Sequence, residues 1–108
     1  MFKRGKIVLV PFPFSDLSNQ KIRPALIISN QPKSPDVVVL FITSQNKSKS
    51  TFLIDISPSD LNGLKTKSKI VCDKIATLNT KVILGEIGEI ETEVLEKVSL
   101  KLKEVLGF

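Results

Sequence analysis

Arg23 is the residue whose type and position most directly suggest chemistry. It follows a polar loop, residues 15–21, and opens the apolar run RPALII. Strands usually begin with an apolar or β-branched side chain, so a guanidinium at a loop-to-strand junction, beside a proline with a fixed φ, is unusual. Its forked cation matches the geometry of phosphate oxygens. We therefore expect Arg23 to contact phosphate, and the alternative is a surface arginine paired with a carboxylate.

The composition argues against metal chemistry. The chain has no histidine and one cysteine, Cys72, which excludes an internal disulfide and leaves no cluster of sulfur ligands. A zinc or haem site would have to be built from scattered carboxylates, which suit neither group. We expect no metal and no cofactor, and we expect Cys72 to be a small buried apolar residue.

Short strands are predicted for most of the chain up to about residue 84. Apolar runs bounded by glycine, proline or polar residues occur at residues 7–12, 23–29 and 37–43. Residues 51–56 alternate as in a half-exposed strand, and residues 69–78 form a further strand or a bent strand pair. This spacing favours a small curled sheet or barrel.

A helical period replaces the strand pattern over residues 91–106. Apolar residues recur every three or four positions, with Glu and Lys between them. Glu93 near the start and Lys103 near the end complement the helix dipole, and Gly107 is a natural stop. The pattern predicts one amphipathic helix that caps the sheet. A chain of 108 residues is long enough for a single domain spanning residues 1–108.

The charge distribution favours an anionic partner. Residues 1–85 hold thirteen Lys and Arg against five Asp and Glu, whereas residues 86–108 hold three against six. A basic face favours nucleic acid as the partner, and the alternative is that the lysines only keep the surface solvated.

The apolar run near the start is short, ends in Pro-Phe-Pro and lacks a cleavage site, so it predicts a strand in a soluble, cytoplasmic protein with no membrane segment.

Three segments together resemble the MazF/PemK family of toxin endoribonucleases from type II toxin–antitoxin systems. They are GKIVLVPFPFSDLSNQKIRPALIIS near the start, FITSQ at residues 41–45 and CDKIATL at residues 72–78. The resemblance covers nearly the whole chain in order. It implies a mainly β, SH3-like (CcdB/MazF-type) curled barrel with a C-terminal helix, a homodimer, and neutralisation by a cognate antitoxin. It also implies metal-independent, sequence-specific cleavage of single-stranded RNA that leaves a 2′,3′-cyclic phosphate and a 5′-OH.

The resemblance assigns the family's Arg-Pro arginine to Arg23 and the threonine after its third strand to Thr43. Cleavage without metal drives the neighbouring 2′-OH onto phosphorus, so charge on the non-bridging oxygens must be met by fixed donors. Arg23 supplies a permanent cation, Thr43 a hydroxyl and Ser44 a second hydroxyl. Because arginine stays protonated, it is a poor resting base, and the proton acceptor is left unassigned.

Two interpretations are open for each of the carboxylates Asp73 and Asp16. Asp73 aligns with a carboxylate proposed to take part in some branches of the family, where it would act as base or orient Arg23, or it could accept backbone amides at a strand bend. Asp16 in the first loop could brace Arg23 at the RNA site or only cap a turn. The remaining expected RNA contacts, which include lysines that meet backbone phosphates, are Lys21, Ser44, Gln45, Lys47, Lys49 and Lys74.

The chain departs from the family pattern at three points. Val71 stands where the PemK branch has a basic residue, Ala76 stands where many members have arginine, and the first-loop histidine of PemK-like members is missing. Two cations that could help hold RNA are thus absent. These departures leave open whether cleavage of RNA by this chain is low, narrowly sequence-specific or lost.

Two competing functions use the same fold. A CcdB-like toxin would poison DNA gyrase by contact through the C-terminal helix and residues 106–108, whereas the Arg-Pro pair and Thr43 argue against that role. A basic SH3-like module would bind nucleic acid passively. Such a module should keep its RNA affinity in Arg23→Lys, whereas a nuclease should lose cleavage on the same change.

Overall fold

One antiparallel sheet and a C-terminal helix make up the fold. The computed structural model describes residues 2–12, 21–44 and 50–108. These residues form β1 (Lys6–Phe12), β2 (Lys21–Ile27), β3 (Asp36–Thr43), β4 (Leu53–Ile56), β5 (Ser68–Asn79), β6 (Gly85–Glu89) and α1 (Thr92–Leu106), with a 3-10 helix at Thr80–Val82. The strand order is β4-β5-β3-β2-β1-β6. None of the helices in this part of the chain has the length and apolar character needed to cross a membrane.

The strands bury side chains on both faces of the sheet, as their near-continuous apolar runs predict. We call the face that packs against α1 the inner face, and the opposite one the outer face. The inner layer includes Leu26, Leu40, Ile42, Ile70 and Cys72, together with Val98 of α1. The outer layer consists of Val8, Val10, Ala25, Ile27, Val37, Val39 and Phe41. Because successive strand residues alternate between faces, this division assigns a face to the neighbouring positions outside the bulges.

A bulge bends β5 in its middle. Leu40 of β3 pairs with Ile75, but the next residue, Phe41, pairs with Val71, so residues 72–74 have no partner on β3. Such insertions bend the bulged strand and increase its twist. The first part of β5 also pairs with β4, from Leu53 opposite Val71 to Ile56 opposite Ser68. Of the two alternatives from the sequence, a further strand or a bent strand pair, the structure has one strand that carries a bulge.

Two close contacts made by glycines join the edges of the curled sheet. A Cβ on Gly63, in the loop after β4, would lie 2.1 Å from the carbonyl oxygen of Ile87 in β6. A Cβ on Gly88 would lie 2.4 Å from the backbone of Asn62. The Glu89 amide also donates a 2.9 Å hydrogen bond to the Leu61 carbonyl. The two ends of the sheet therefore meet through a loop whose backbone approaches β6 more closely than any side chain would allow.

Most elements follow the sequence pattern, and one was missed. The helix begins at Thr92, with Glu91 at its N-cap, and ends at Leu106. Gly107 follows with a φ of 79°, and its N–H donates to the Lys103 carbonyl, which forms the expected C-terminal cap. β6, with the sequence GEIGE, was not predicted, because its two glycines and two glutamates have low strand propensity. Its pairing with β1 supplies the stability that its composition lacks.

Candidate functional site

Arg23 and Thr43 lie on neighbouring strands at the open end of the sheet. The β2–β3 ladder ends at Ala25 opposite Phe41, and continuing that register by two residues places Arg23 beside Thr43. Adjacent strands are about 4.8 Å apart. Both residues are two positions from members of the outer layer, so both project from the outer face. The arrangement sets a cation and a hydroxyl side by side at a spacing that suits one phosphate.

Pro24 accounts for the opening of this ladder. It pairs with Leu9 of β1, but it has no N–H with which to continue the ladder towards β3. Its position also corrects the sequence prediction. Arg23 is the third residue of β2, which begins at Lys21, and pairs with Val10, so it lies within the strand rather than at a loop-to-strand junction.

The Arg23 side chain is half-buried, and within residues 2–12, 21–44 and 50–108 its guanidinium makes no hydrogen bond or ion pair. The ion pairs in these ranges join other residues, such as Lys69 with Asp55. The alternative of an arginine paired with a carboxylate therefore has no support from the described carboxylates. A planar cation with five N–H donors at this position suits an external anion.

A cleft of about 470 Å³ adjoins Arg23. It lies between the first residues of β2, the end of β3 and the loop that leads into β5. Its apolar lining comes from Leu9, Pro24, Ile42, Leu64 and Ile87, and its polar lining comes from Lys21, Arg23, Ser44, Lys65, Thr66 and Ser68. An apolar floor with a few polar groups and this volume is typical of a site for a small ligand or a nucleotide unit.

Asp73 lies in the bulge of β5 and is exposed. The Ser50 hydroxyl donates a 2.7 Å hydrogen bond to its Oδ1. Cys72 belongs to the inner layer, but the bulge interrupts the alternation of faces over residues 72–74, so the register assigns Asp73 to neither face. Among the described ion pairs none joins Asp73 to Arg23, and Asp73 does not line the cleft. Lys74, the next residue in the bulge, is also exposed.

The other sequence-predicted site residues fall into two groups. Lys21 and Ser44 are exposed and line the cleft. Asp16, Gln45, Lys47 and Lys49 lie outside the described residues. Sequence reasoning missed the wall of the cleft formed by residues 63–68. The only signal was a glycine followed by three lysines alternating with Thr and Ser, which is common in surface loops.

Two departures from the family pattern have local explanations. Val71 pairs with both Phe41 and Leu53, and its side chain is 3% exposed, so an apolar residue suits this position. Ala76 is half-buried and packs against the outer layer. Val71 therefore offers no open surface for a cation in this chain.

Cys72 has the structural role predicted for it. Its side chain is fully buried in the inner layer, and this burial raises the pKa of the thiol to about 11. The thiolate, which is the nucleophilic form, is therefore scarce at neutral pH.

Comparison with known proteins places this geometry in context. A family model described as PemK-like, MazF-like toxin of type II toxin–antitoxin system matches residues 3–106. An endoribonuclease in complex with its cognate antitoxin from a mycobacterial species is similar, with a TM-score of 0.79, 24% identity, and coverage of 100% of this chain and 97% of that chain. A mycobacterial endoribonuclease gives a TM-score of 0.74, 25% identity, and coverage of 98% and 91%. A MazE–MazF structure from Deinococcus radiodurans gives a TM-score of 0.76 and 23% identity, with coverage of 98% of this chain and 96% of that chain.

These structural likenesses confirm the curled β fold with its C-terminal helix. The search of curated proteins gave no match.

Proposed function

Because the chain belongs to the PemK-like, MazF-like toxin family of type II toxin–antitoxin systems, we propose that it is an endoribonuclease that cleaves single-stranded RNA without a metal ion. The observation that carries this proposal is the position of Arg23 beside Thr43 on the outer face, next to a cleft with further cations. The names of the mycobacterial endoribonucleases with the same fold add support. The protein would act in the cytoplasm as a homodimer and be neutralised by a cognate antitoxin.

In the proposed reaction the 2′-OH of one nucleotide attacks the adjacent phosphorus. The P–O2′ bond forms and the P–O5′ bond breaks, which leaves a 2′,3′-cyclic phosphate and a 5′-OH. Negative charge builds on the non-bridging oxygens, where the fixed Arg23 cation and the Thr43 hydroxyl would stabilise it. The donors are already in place on two paired strands, so little reorganisation is needed when the charge develops.

The reaction also needs a proton acceptor for the 2′-OH and a proton donor for the leaving O5′. Asp73 is the candidate acceptor, because it is an exposed carboxylate in the bulge of β5, the strand that pairs with β3. Its competing role is structural, through the hydrogen bond from Ser50 that holds the bulge. Lys74 beside it would contact backbone phosphate, together with Lys21 at the mouth of the cleft.

The antitoxin is proposed to be small and partly disordered, with an acidic and apolar segment that covers Arg23. The cleft combines an apolar floor with Lys21 and Lys65. A segment of that composition would meet both features, and its ordering on binding would be repaid by the burial of apolar surface.

The test incubates purified protein with a long single-stranded RNA in EDTA and maps the 5′ ends that appear. We expect discrete cuts by the wild type and none by Arg23→Ala or by Thr43→Val, which replaces the hydroxyl with a methyl group. Thr77→Val is the matched control, because Thr77 is exposed on β5 away from the cleft lining. Intact RNA across many sequences would contradict the proposal and favour a passive or gyrase-directed toxin.

A further inference from the structure

The loop between β4 and β5, residues 57–67, forms one wall of the cleft and is held in place by Asn62. This side chain is fully buried. Its Oδ1 accepts hydrogen bonds from the backbone amides of Ser59 and Leu64, both at 3.0 Å. Its Nδ2 donates to the Ser57 carbonyl at 2.9 Å and to Glu91 Oε1 at 3.2 Å. A buried amide whose hydrogen bonds are satisfied by its own loop and by Glu91 fixes the shape of that loop.

The same loop is also fixed against β6. The approach of Gly63 to the Ile87 carbonyl and of Gly88 to Asn62 leaves no room for a side chain between the two segments. The wall is thus fastened on two sides before any ligand arrives. A preformed wall lowers the entropy cost of binding, since residues 57–67 do not have to be ordered when the ligand arrives.

This rigid wall presents a cation and a hydroxyl to the cleft. Lys65 and Thr66 are exposed and line it, and no carboxylate is among its described lining residues. Within the described part of the chain the Thr66 hydroxyl makes no hydrogen bond. The Ser68 hydroxyl, in contrast, donates to the Thr66 carbonyl at 3.0 Å and is used internally. Thr66 therefore has a hydroxyl that can donate to or accept from a ligand.

The floor of the cleft suits the face of a nucleobase. It is made by Leu9, Pro24, Ile42, Leu64 and Ile87, which belong to the inner-face side of the sheet. Arg23 lines the same cleft, and its strand neighbour Thr43 projects from the outer face. An RNA strand whose phosphate lies at Arg23 and Thr43 would therefore pass the end of the sheet and place its next base in the cleft. Single-stranded RNA is commonly bound with bases splayed out in this way.

We propose that the cleft holds the nucleotide next to the scissile phosphate, with its base on the apolar floor and the Thr66 hydroxyl on the base edge. Lys65 contacts the backbone phosphate of that nucleotide. This assignment rests on the proposed ribonuclease function, and it makes Thr66 a specificity-determining residue and Lys65 a binding residue. Charge at Lys65 gives affinity, whereas the hydroxyl of Thr66 distinguishes bases by their donors and acceptors.

Binding is tested first, independently of cleavage. A fluorescent, random-sequence RNA 12-mer with 2′-O-methyl groups cannot be cut by 2′-OH attack, and its affinity is measured by anisotropy over a range of salt concentrations. Lys65→Ala should weaken binding several-fold and reduce the slope of log affinity against log salt by about 0.7. Lys67→Ala is the matched control, because Lys67 is exposed in the same loop but does not line the cleft. Equal effects of the two variants would overturn the assignment of Lys65.

Specificity is tested by mapping cuts across a long RNA of mixed sequence. Thr66→Val should relax the preference at one position next to the cut by about fivefold, because the preferred base loses its contact with the hydroxyl and is cut more slowly, whereas the other bases lose less. Thr66→Ser should restore the wild-type preference. An unchanged cut motif in Thr66→Val overturns the role of Thr66. Absence of cuts by the wild type instead overturns the proposed function. The comparison of RNA affinity between Lys65→Ala and Lys67→Ala then still decides whether the cleft binds RNA.

Discussion

The Ser50 hydroxyl lies 2.7 Å from Asp73 Oδ1 and donates a hydrogen bond to it. The same hydroxyl accepts a hydrogen bond from the Phe52 amide at 3.0 Å, and the Phe52 carbonyl accepts one from the Cys72 amide at 2.9 Å. These bonds connect the segment before β4 to the bulge of β5. The Asp73 carboxylate is therefore oriented by the fold, which either a proton acceptor or a structural anchor requires.

Asp73→Asn separates the two roles of this carboxylate. The amide oxygen can still accept the bond from Ser50, but the side chain can no longer take a proton. If Asp73 is the proton acceptor, single-turnover cleavage should fall about 100-fold or more, with an unchanged melting temperature. Ser50→Ala is the control, because it removes the hydrogen bond and keeps the carboxylate. We expect the larger loss of cleavage in Asp73→Asn. Near-normal cleavage by that variant would show that Asp73 only stabilises the bulge and is not the proton acceptor.

Arg23→Lys tests the forked geometry of the cation. Lysine keeps the charge but cannot form two parallel hydrogen bonds to a phosphate. We expect cleavage to fall about 100-fold or more, as for loss of a transition-state donor, while affinity for uncleavable RNA stays within about threefold. The chain's other arginine, Arg4, provides the matched control Arg4→Lys, because its Nε donates to the Ile28 carbonyl instead. Cleavage retained in Arg23→Lys would point to a passive nucleic-acid module.

The strands around Arg23 were predictable because long runs of apolar residues indicate their burial. The runs of β1 to β3 are apolar at nearly every position, and both faces of the sheet are buried there. Family resemblance then identified Arg23 and Thr43, and the register explains why they belong together. The bulge at residues 72–74 was not predicted, since its position depends on pairing with β3. The sequence left a further strand or a bent strand pair open in this region.

The wall of the cleft was not predictable from local sequence. Asn62 looks like an ordinary turn residue, and only the folded chain brings it to Glu91. Gly63 packs against Ile87 and Gly88 packs against Asn62, so both contacts join distant segments of the chain and depend on the tertiary structure. Lys65 and Lys67 are alike in sequence, yet only Lys65 lines the cleft. Long-range contacts of this kind leave no periodic signal in one chain.

Glu91 should make the stability of the protein depend on acid pH. Hydrogen bonds from Ser59 and Asn62 lower the pKa of this carboxyl in the folded state, with the Ser59 bond as the main cause. A lowered folded-state pKa means that the stabilisation is present above the ordinary glutamate pKa and is lost as the pH falls through the folded-state value.

We therefore expect Glu91→Gln to be less stable than the wild type at neutral pH, with the difference shrinking under acid conditions. The free energy of unfolding is measured by denaturant titration at about pH 7 and about pH 3.5. Glu93→Gln is the control, because Glu93 is exposed in the first turn of α1. A difference in the free energy of unfolding that is the same at both pH values would show that ionisation of Glu91 does not stabilise the fold.

Cys72 should be unreactive while the protein is folded. Its thiol is buried, and burial raises its pKa to about 11. At about pH 8 we expect reaction with a thiol-specific disulfide reagent to be at least about 100-fold slower in the native protein than in denaturant. Cys72→Ala supplies the blank for the same assay. Rapid labelling of the native protein would show that the inner layer opens far more readily than its packing indicates.

The contact between Gly63 and β6 should dominate the stability of the half-barrel. Gly63 has a φ of +69°, and a Cβ there would stand 2.1 Å from the Ile87 carbonyl oxygen, so backbone must move to accept any side chain. We expect Gly63→Ala to lower the free energy of unfolding by about 3 kcal/mol or more. Thermal melting and denaturant titration measure the loss.

Gly85→Ala is the matched control for this substitution. Gly85 is also in the region of β6, but its φ is not positive and a Cβ there meets nothing within 4 Å. It should be neutral or stabilising by up to about 1 kcal/mol, since alanine restricts the unfolded chain. Because the same contact positions Lys65 and Thr66, a folded Gly63→Ala protein should also bind the uncleavable RNA more weakly. Equal stability of the two variants would mean that the loop after β4 is not fastened to β6 as described.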